Sequence, residues 1–341
     1  MKRGLLAVCL LLFPSSAFAQ SPSTKLPSQK ANQPRFEIRV KPFIDLHFYV
    51  YKLASGDNKL PDIDGFAQAV EAARQVPMYQ TLIDLLLFNC ENAADAERVF
   101  AQFPETFKLR QGNVIPLREK AVRLARSLAV IEKPFLEKVW PQHRDAIRKA
   151  AASVAQTLGP KEQECFAYLT GRLGLEAANY VVPVYFVAEM PWPSALTAIG
   201  KESGHGACVV NVGARQGASL FDSILHEAIH ALDAETRGEG NVLIEFQNQL
   251  LKNGFDQNDL VVRHAPHFLV FIQSVETVRR FLDASYQPYD EGVFVRPGLQ
   301  PMVSIERPIW TAYLDGKFSR EEALKQMVAA FVKAREKEAG E

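Results

Sequence analysis

The residues in this chain with the clearest chemical meaning are His226, Glu227 and His230, which stand in the order His-Glu-Ala-Ile-His. On an α-helix, side chains four apart lie on one face, so the two imidazoles can grip a single metal ion. Glu227 projects at the neighbouring angle, where a carboxylate can take a proton from metal-bound water. These residue types suit Zn2+. Zinc takes neutral imidazole nitrogens, and with three protein ligands it leaves a fourth position for a water whose pKa it lowers to about 7. Glu227 would hold that water, accept its proton as general base and pass the proton to a leaving amine.

The elements that must position these groups can be read from periodicity. Ser219 to Glu235 reads as a helix: Ser219 and Asp222 are spaced like a capping box, and Leu220, Ile224, Leu225, Ile229 and Leu232 form an apolar face. Before it, Tyr180–Glu189 and Ala207–Val212 read as two short strands separated by a loop containing Pro, Trp and Gly. After it come helical patterns at Val242–Lys252 and His267–Leu282, a Pro/Gly-rich stretch, and a closing amphipathic helix at Arg320–Lys333. Upstream, apolar residues recur at three and four through Phe43–Leu53, Ile63–Gln75, Met78–Phe88, Ala93–Phe103, Leu117–Ile131, His143–Leu158 and Lys161–Leu173. The order predicts an α+β fold, with a helical region at 36–175 followed by a metal-site region at 176–341.

The stretch from about Tyr180 to Leu282 resembles the zincin metallopeptidases, through a helix reading HEAIHALD placed after a β-strand. The resemblance implies an exported zinc metallopeptidase acting on peptide or protein substrates. It also implies an edge strand above the helix that pairs with an extended peptide, and Ala207–Val212 is placed to be that strand. Backbone pairing of this kind gives affinity with little side-chain specificity. The metzincin branch would need glycine at position 233 and histidine at 236, where Asp233 and Thr236 stand. The helical region upstream resembles no family. The alternative from another functional class is a non-catalytic binding or scaffold protein of zincin shape.

Residue type and placement leave two candidates for a third ligand. Glu245 is the gluzincin-style choice, because a turn at Gly238–Gly240 would return the chain toward His230. Asn241, Glu245, Asn248, Gln249 and Lys252 share one face, however, and a solvated stripe explains that carboxylate equally well. His267 follows Pro266, which suits the first position of a helix, and shares a face with Val270, Phe271, Ser274, Val278 and Phe281. A histidine on an apolar face needs a partner. The segment HFLVFIQSVETVRR is similar to a tail of uncharacterised exported bacterial proteins that carry the same His-Glu-x-x-His helix, and this resemblance implies His267 as the ligand.

Other residues could assist. Asp233 lies seven after His226 and could orient a ligand imidazole. Arg279, Arg280, Tyr286 and Tyr289 are possible donors to a developing oxyanion. His205 precedes the second strand and could line the cleft, while His47 and His143 have no metal-ligand spacing.

The rest of the chain bounds the setting. Met1–Arg3, the apolar run Gly4–Phe13 and Ala17-Phe18-Ala19 fit a secretory signal peptide cleaved after Ala19, with a flexible spacer at 20–35. Cys9 follows Val8 rather than a small residue and the apolar run continues past it, which argues against a lipid anchor. Removing Cys9 leaves Cys90, Cys165 and Cys208 with no zinc-type spacing; three cysteines allow one disulfide and one free thiol, and buried thiols packed as small hydrophobes are the alternative. In the 341-residue chain 39 basic residues balance 39 acidic ones, which speaks against a chain built to neutralise nucleic acid phosphates. No stretch after the signal is long and apolar enough to be a membrane span.

Overall fold

Tyr180–Glu189 is apolar at nearly every position because the strand it forms is covered on both faces. In a computed structural model, which describes residues 34–56, 59–76, 79–108, 114–175, 180–200, 206–235, 241–288 and 300–340, this run makes strand β4 (Val182–Val187). Val182, Val184 and Phe186 enter one hydrophobic core, while Tyr185 and Val187 enter another. A continuous apolar run is what a doubly buried strand requires. The signal-like segment and nearly all of the spacer lie outside the described residues.

The fold is α+β, built on a small mixed sheet in the order β1-β4-β6-β5. Strand β1 (Phe36–Arg39) runs parallel to β4, and β6 (Gly206–Asn211) runs parallel to β4 on its other side. Strand β5 (Ala195–Ile199) is antiparallel to β6 and ends the sheet. This order corrects the expectation for Ala207–Val212, which lies inside the sheet rather than at its edge. The edges are β1 and β5, and β5, the one beside β6, lies in the stretch read from sequence as a loop. Its apolar signal is only five residues long and its neighbours are Pro193 and Gly200, so turn residues dominate any window across it. A separate two-residue hairpin pairs β2 (Phe107–Lys108) with β3 (Val114–Ile115).

One face of the sheet receives the upstream helices. These are α1 (Pro42–Ala54), α2 (Phe66–Arg74), α3 (Tyr79–Asn89), α4 (Ala93–Phe100) and α5 (Leu117–Lys138). Their Phe43, Leu46, Phe66, Leu86, Phe100 and Leu128 share a core with Leu196, Ala198, Ala207 and Val209 of the strands. Helix α5 runs through Pro134, where a break was expected. The proline frees the carbonyl of Val130, a residue 64% exposed, so water can satisfy it. Helices α6 (Trp140–Thr157) and α7 (Glu162–Leu173) complete the crossover to β4.

The other face carries α8 (Ala218–Glu235), with α9 (Val242–Lys252), α10 (Leu260–Phe281), α11 (Gln300–Leu314) and α12 (Arg320–Gly340) packed behind it. Helix α11 occupies part of the stretch expected to be irregular, its Pro308 notwithstanding. Two buried contacts tie the layers: Asp45 on α1 accepts from Ala188 N at 2.6 Å and meets His143 Nδ1 of α6 at 2.6 Å. Cys90, Cys165 and Cys208 are buried free thiols, and burial pushes the first two up to about 11 and about 12. Among the described residues no helix is long and apolar enough to cross a membrane.

Candidate metal centre

Helix α8 is pressed onto the sheet by its apolar face. Ile224, Leu225, Ile229 and Leu232 are fully buried, and each contributes roughly 1.5–3 kcal/mol relative to exposure. The approach is closest where Ala231 crosses the start of β6: a Cβ at position 206 would lie 2.4 Å from the Ala231 Cα, so Gly206 alone leaves room for the helix backbone. Turn residue Gly217, at φ +52°, precedes the helix. Ser219 therefore stands inside the first turn rather than at the cap, bonded to Gln216, and Asp222 serves another purpose.

Helix α10 crosses α8 and brings His267 beside the α8 pair. It begins at Leu260, so Pro266 lies within it instead of opening it. The carbonyl that Pro266 leaves without its helical donor, Val262 O, receives a long contact of 3.5 Å from Gln247 Nε2 of α9. His267 Nε2 is 3.2 Å from His226 Nε2, and His230 Nε2 is also 3.2 Å from His226 Nε2. All three ligand atoms fall within 4.8 Å of one another. Phe271, one turn beyond His267, lays its ring 4.1 Å from that of His226 and closes the apolar wall.

The three imidazoles could hold a metal ion. Two nitrogens bound to one ion at ~2.0–2.1 Å with tetrahedral angles stand about 3.3 Å apart, and the two contacts to His226 Nε2 have nearly that spacing. Hydrogen bonding among neutral rings explains the cluster less well, because one ring nitrogen carries either one proton or one lone pair and fully answers only one of its two neighbours. Burial holds all three rings below the ordinary histidine range: His230 falls to about 4 and His267 to about 3, and His226 lies well below 6.5, depressed further by its two neighbours and by Arg215. Neutral imidazoles are the form that binds metal. His226 Nδ1 is buried with no hydrogen-bond partner among the described residues.

Glu227 is 7% exposed and faces β5. Burial raises its carboxyl to about 7, against the opposing pull of Thr197 and Arg215. Thr197 Oγ1 lies 2.8 Å from Glu227 Oε2 and 2.8 Å from the Glu227 backbone oxygen. A carboxyl near neutrality can both take and return a proton at physiological pH.

No family model, curated protein or solved structure matches this chain.

The remaining candidates are placed elsewhere. Glu245 sits on α9 outside the trio, accepting from Gln249 Nε2 at 3.2 Å. Asp233 accepts a short bond from Asn241 Nδ2, and Asn241 caps α9 through Leu243 N at 2.9 Å, so that carboxylate ties α8 to α9. Arg279 binds Tyr286 O and Glu276, and Arg280 reaches Tyr168 of α7. Tyr286 donates to Asp222 Oδ2 at 2.8 Å rather than into the site. His205, Tyr289 and Gly238–Gly240 lie outside the described residues. His47 is buried in α1, far along the chain from the trio and on the opposite face of the sheet.

Several residues at or near the centre were not anticipated. Asp222, one turn before His226, accepts from Ser274 of α10 at 2.6 Å and so clasps the two helices that carry the three histidines. His264, one turn before His267, contributes to holding that ring neutral; its spacing of three from His267 was a visible signal. Thr197 and Arg215 carried none.

Proposed function

We propose that this chain is a zinc-dependent hydrolase that cleaves peptide bonds, with His226, His230 and His267 as the metal ligands and Glu227 as general base. The observation that carries the reading is the geometry of the three imidazoles, whose ligand nitrogens lie within 4.8 Å of one another with the buried Glu227 carboxyl on the residue next to His226. Three imidazole nitrogens suit several transition metals. Zinc fits hydrolysis best, since it has no redox chemistry and in catalytic sites combines three protein ligands with one open position. When bound there, the ion supplies Lewis acidity and makes water nucleophilic near neutral pH.

The protein's own groups account for the remaining steps. Glu227 accepts the proton of the attacking water as its oxygen bonds to the carbonyl carbon. The same carboxyl returns that proton to the amide nitrogen as the C–N bond breaks. Phe271 and the apolar wall restrict water around the rings, which strengthens every electrostatic interaction inside.

An extended peptide is favoured by the edge strand. Asn211 N donates to Ser194 O, so by antiparallel alternation Ala195, Thr197 and Ile199 turn their backbone groups away from β6. Ile199 N is taken by Asp84 of α3 at 3.2 Å, so strand addition would use the outward backbone groups of Ala195 and Thr197, beside Glu227.

The test is hydrolysis of a denatured protein by the purified chain, with and without chelator. Activity lost to chelator and restored by zinc at one ion per chain supports the reading. Tight zinc binding without hydrolysis of any protein or peptide offered would instead make this a binding protein.

A further inference from the structure

We propose that Thr197 is the positioning residue for Glu227, fixing its carboxyl through both halves of proton transfer. The inference rests on the hydrolytic reading above. Thr197 sits on edge strand β5, opposite Cys208 of β6, with its side chain turned toward α8. Its hydroxyl lies at 2.8 Å from two oxygens of the same residue, the Glu227 backbone carbonyl and Oε2.

A hydroxyl has one proton to give and two lone pairs. The backbone carbonyl can only accept, and a carboxyl oxygen that carries no proton accepts whether or not the other oxygen is protonated. With Glu227 ionised, the Thr197 hydroxyl donates to Oε2, and the carbonyl keeps its helical donor from the next turn. When the proton of water is taken by the other carboxyl oxygen, Oε2 keeps its lone pairs and the Thr197 hydroxyl goes on donating to it. No heavy atom moves, so the carboxyl stays in place while it takes a proton from water and delivers it to the departing nitrogen.

The placement is held rigidly. Threonine is β-branched and stiff at χ1, and the close approach of α8 at Gly206 and Ala231 fixes the helix against the sheet. Threonine also touches none of the three ligand nitrogens, so its effect is separable from metal binding.

The test uses the zinc-loaded full chain and the variants Thr197→Val, which keeps the shape and removes the hydroxyl, and Thr197→Ser, which keeps the hydroxyl. With a labelled denatured protein as substrate, Thr197→Val should lower kcat on the order of ten- to a hundredfold, the scale of a lost outer partner, with KM and zinc affinity unchanged. Thr197→Ser should recover most of the loss. Crystal structures of zinc-loaded parent and Thr197→Val should show the Glu227 carboxyl displaced in the variant. Parental kcat in Thr197→Val, or a carboxyl in the parental position, overturns the proposal. If the parent itself hydrolyses nothing, the hydrolytic reading fails, and the carboxyl position in Thr197→Val still decides whether Thr197 fixes Glu227.

Discussion

His267 Nε2 stands 3.2 Å from His226 Nε2 although 41 positions separate the two residues. Helix α10 must cross α8 at one register for this to happen, and the Ser274–Asp222 bond, two turns beyond His267 and one before His226, secures that register. The contact assigns different fates to the two candidates for a third ligand. His267→Ala should weaken zinc binding by well over a hundredfold in competition with a chelator, more than an outer partner costs. Glu245→Ala should leave affinity near the parental value, since that carboxylate meets Gln249 instead. The reverse pattern would move the site toward α9.

Gly206 makes a second prediction. A Cβ there meets the Ala231 backbone, so Gly206→Ala must push α8 away from the sheet. Overpacking of this kind costs about 1–3 kcal/mol, and because Ala231 follows His230, zinc affinity should fall with stability. Gly171→Ala on α7 is the control: nothing lies within 4 Å of its added Cβ, and the change should stabilise by roughly 0.5–1 kcal/mol. Urea unfolding and zinc titration of both variants check the pair. Parental zinc affinity in Gly206→Ala would show that the close approach does not set the site.

Glu306 of α11 gives a pH dependence. It is fully buried, and both carboxylate oxygens lack a hydrogen-bond partner among the described residues. Burial raises its carboxyl well above the ordinary range. The unfolded chain ionises this group near its ordinary pKa of about 4.3, while the folded chain keeps it protonated to higher pH. Unfolding then releases a proton, so the group's favourable contribution is complete below about pH 4 and is lost as pH rises toward the folded value, at up to about 1.4 kcal/mol per pH unit. Glu306→Gln should match the parent near pH 4.5 and exceed it in stability at pH 8. Urea unfolding of both proteins at the two pH values reads the difference directly, and parallel pH profiles would contradict the assignment.

Sequence alone carried the site further than the sheet. His226, Glu227 and His230 are local, and four-residue helical spacing suffices to bring the two imidazoles together. His267 was reachable because its apolar face with Val270 and Phe271 calls for a partner and the resemblance carried by its segment implies a ligand there. The upstream helices were legible for the same reason, as apolar periods punctuated by proline and glycine. Strand β1 escaped notice because four residues make too short a period, and β5 because Pro193 and Gly200 flank it. Their pairing is long-range: Phe36 meets Val182, and Thr197 meets Cys208. Thr197 illustrates the limit most clearly, since its contact with Glu227 exists only once an unrecognised strand is placed beside the helix. The sheet's burial by two helical layers did leave a signal, the continuous apolar run of β4, whose alternate residues enter separate cores.

The central claim is that Glu227 handles the proton while the histidines alone hold the ion. The most direct measurement is zinc content and turnover of Glu227→Gln beside the parent, on a denatured protein substrate that the parent cleaves. Glutamine keeps the size and the polar contact to Thr197 but cannot accept a proton, so zinc should remain at the parental stoichiometry while turnover falls by several orders of magnitude. A Glu227→Gln protein that still cleaves the substrate at a rate near the parent's would contradict the account.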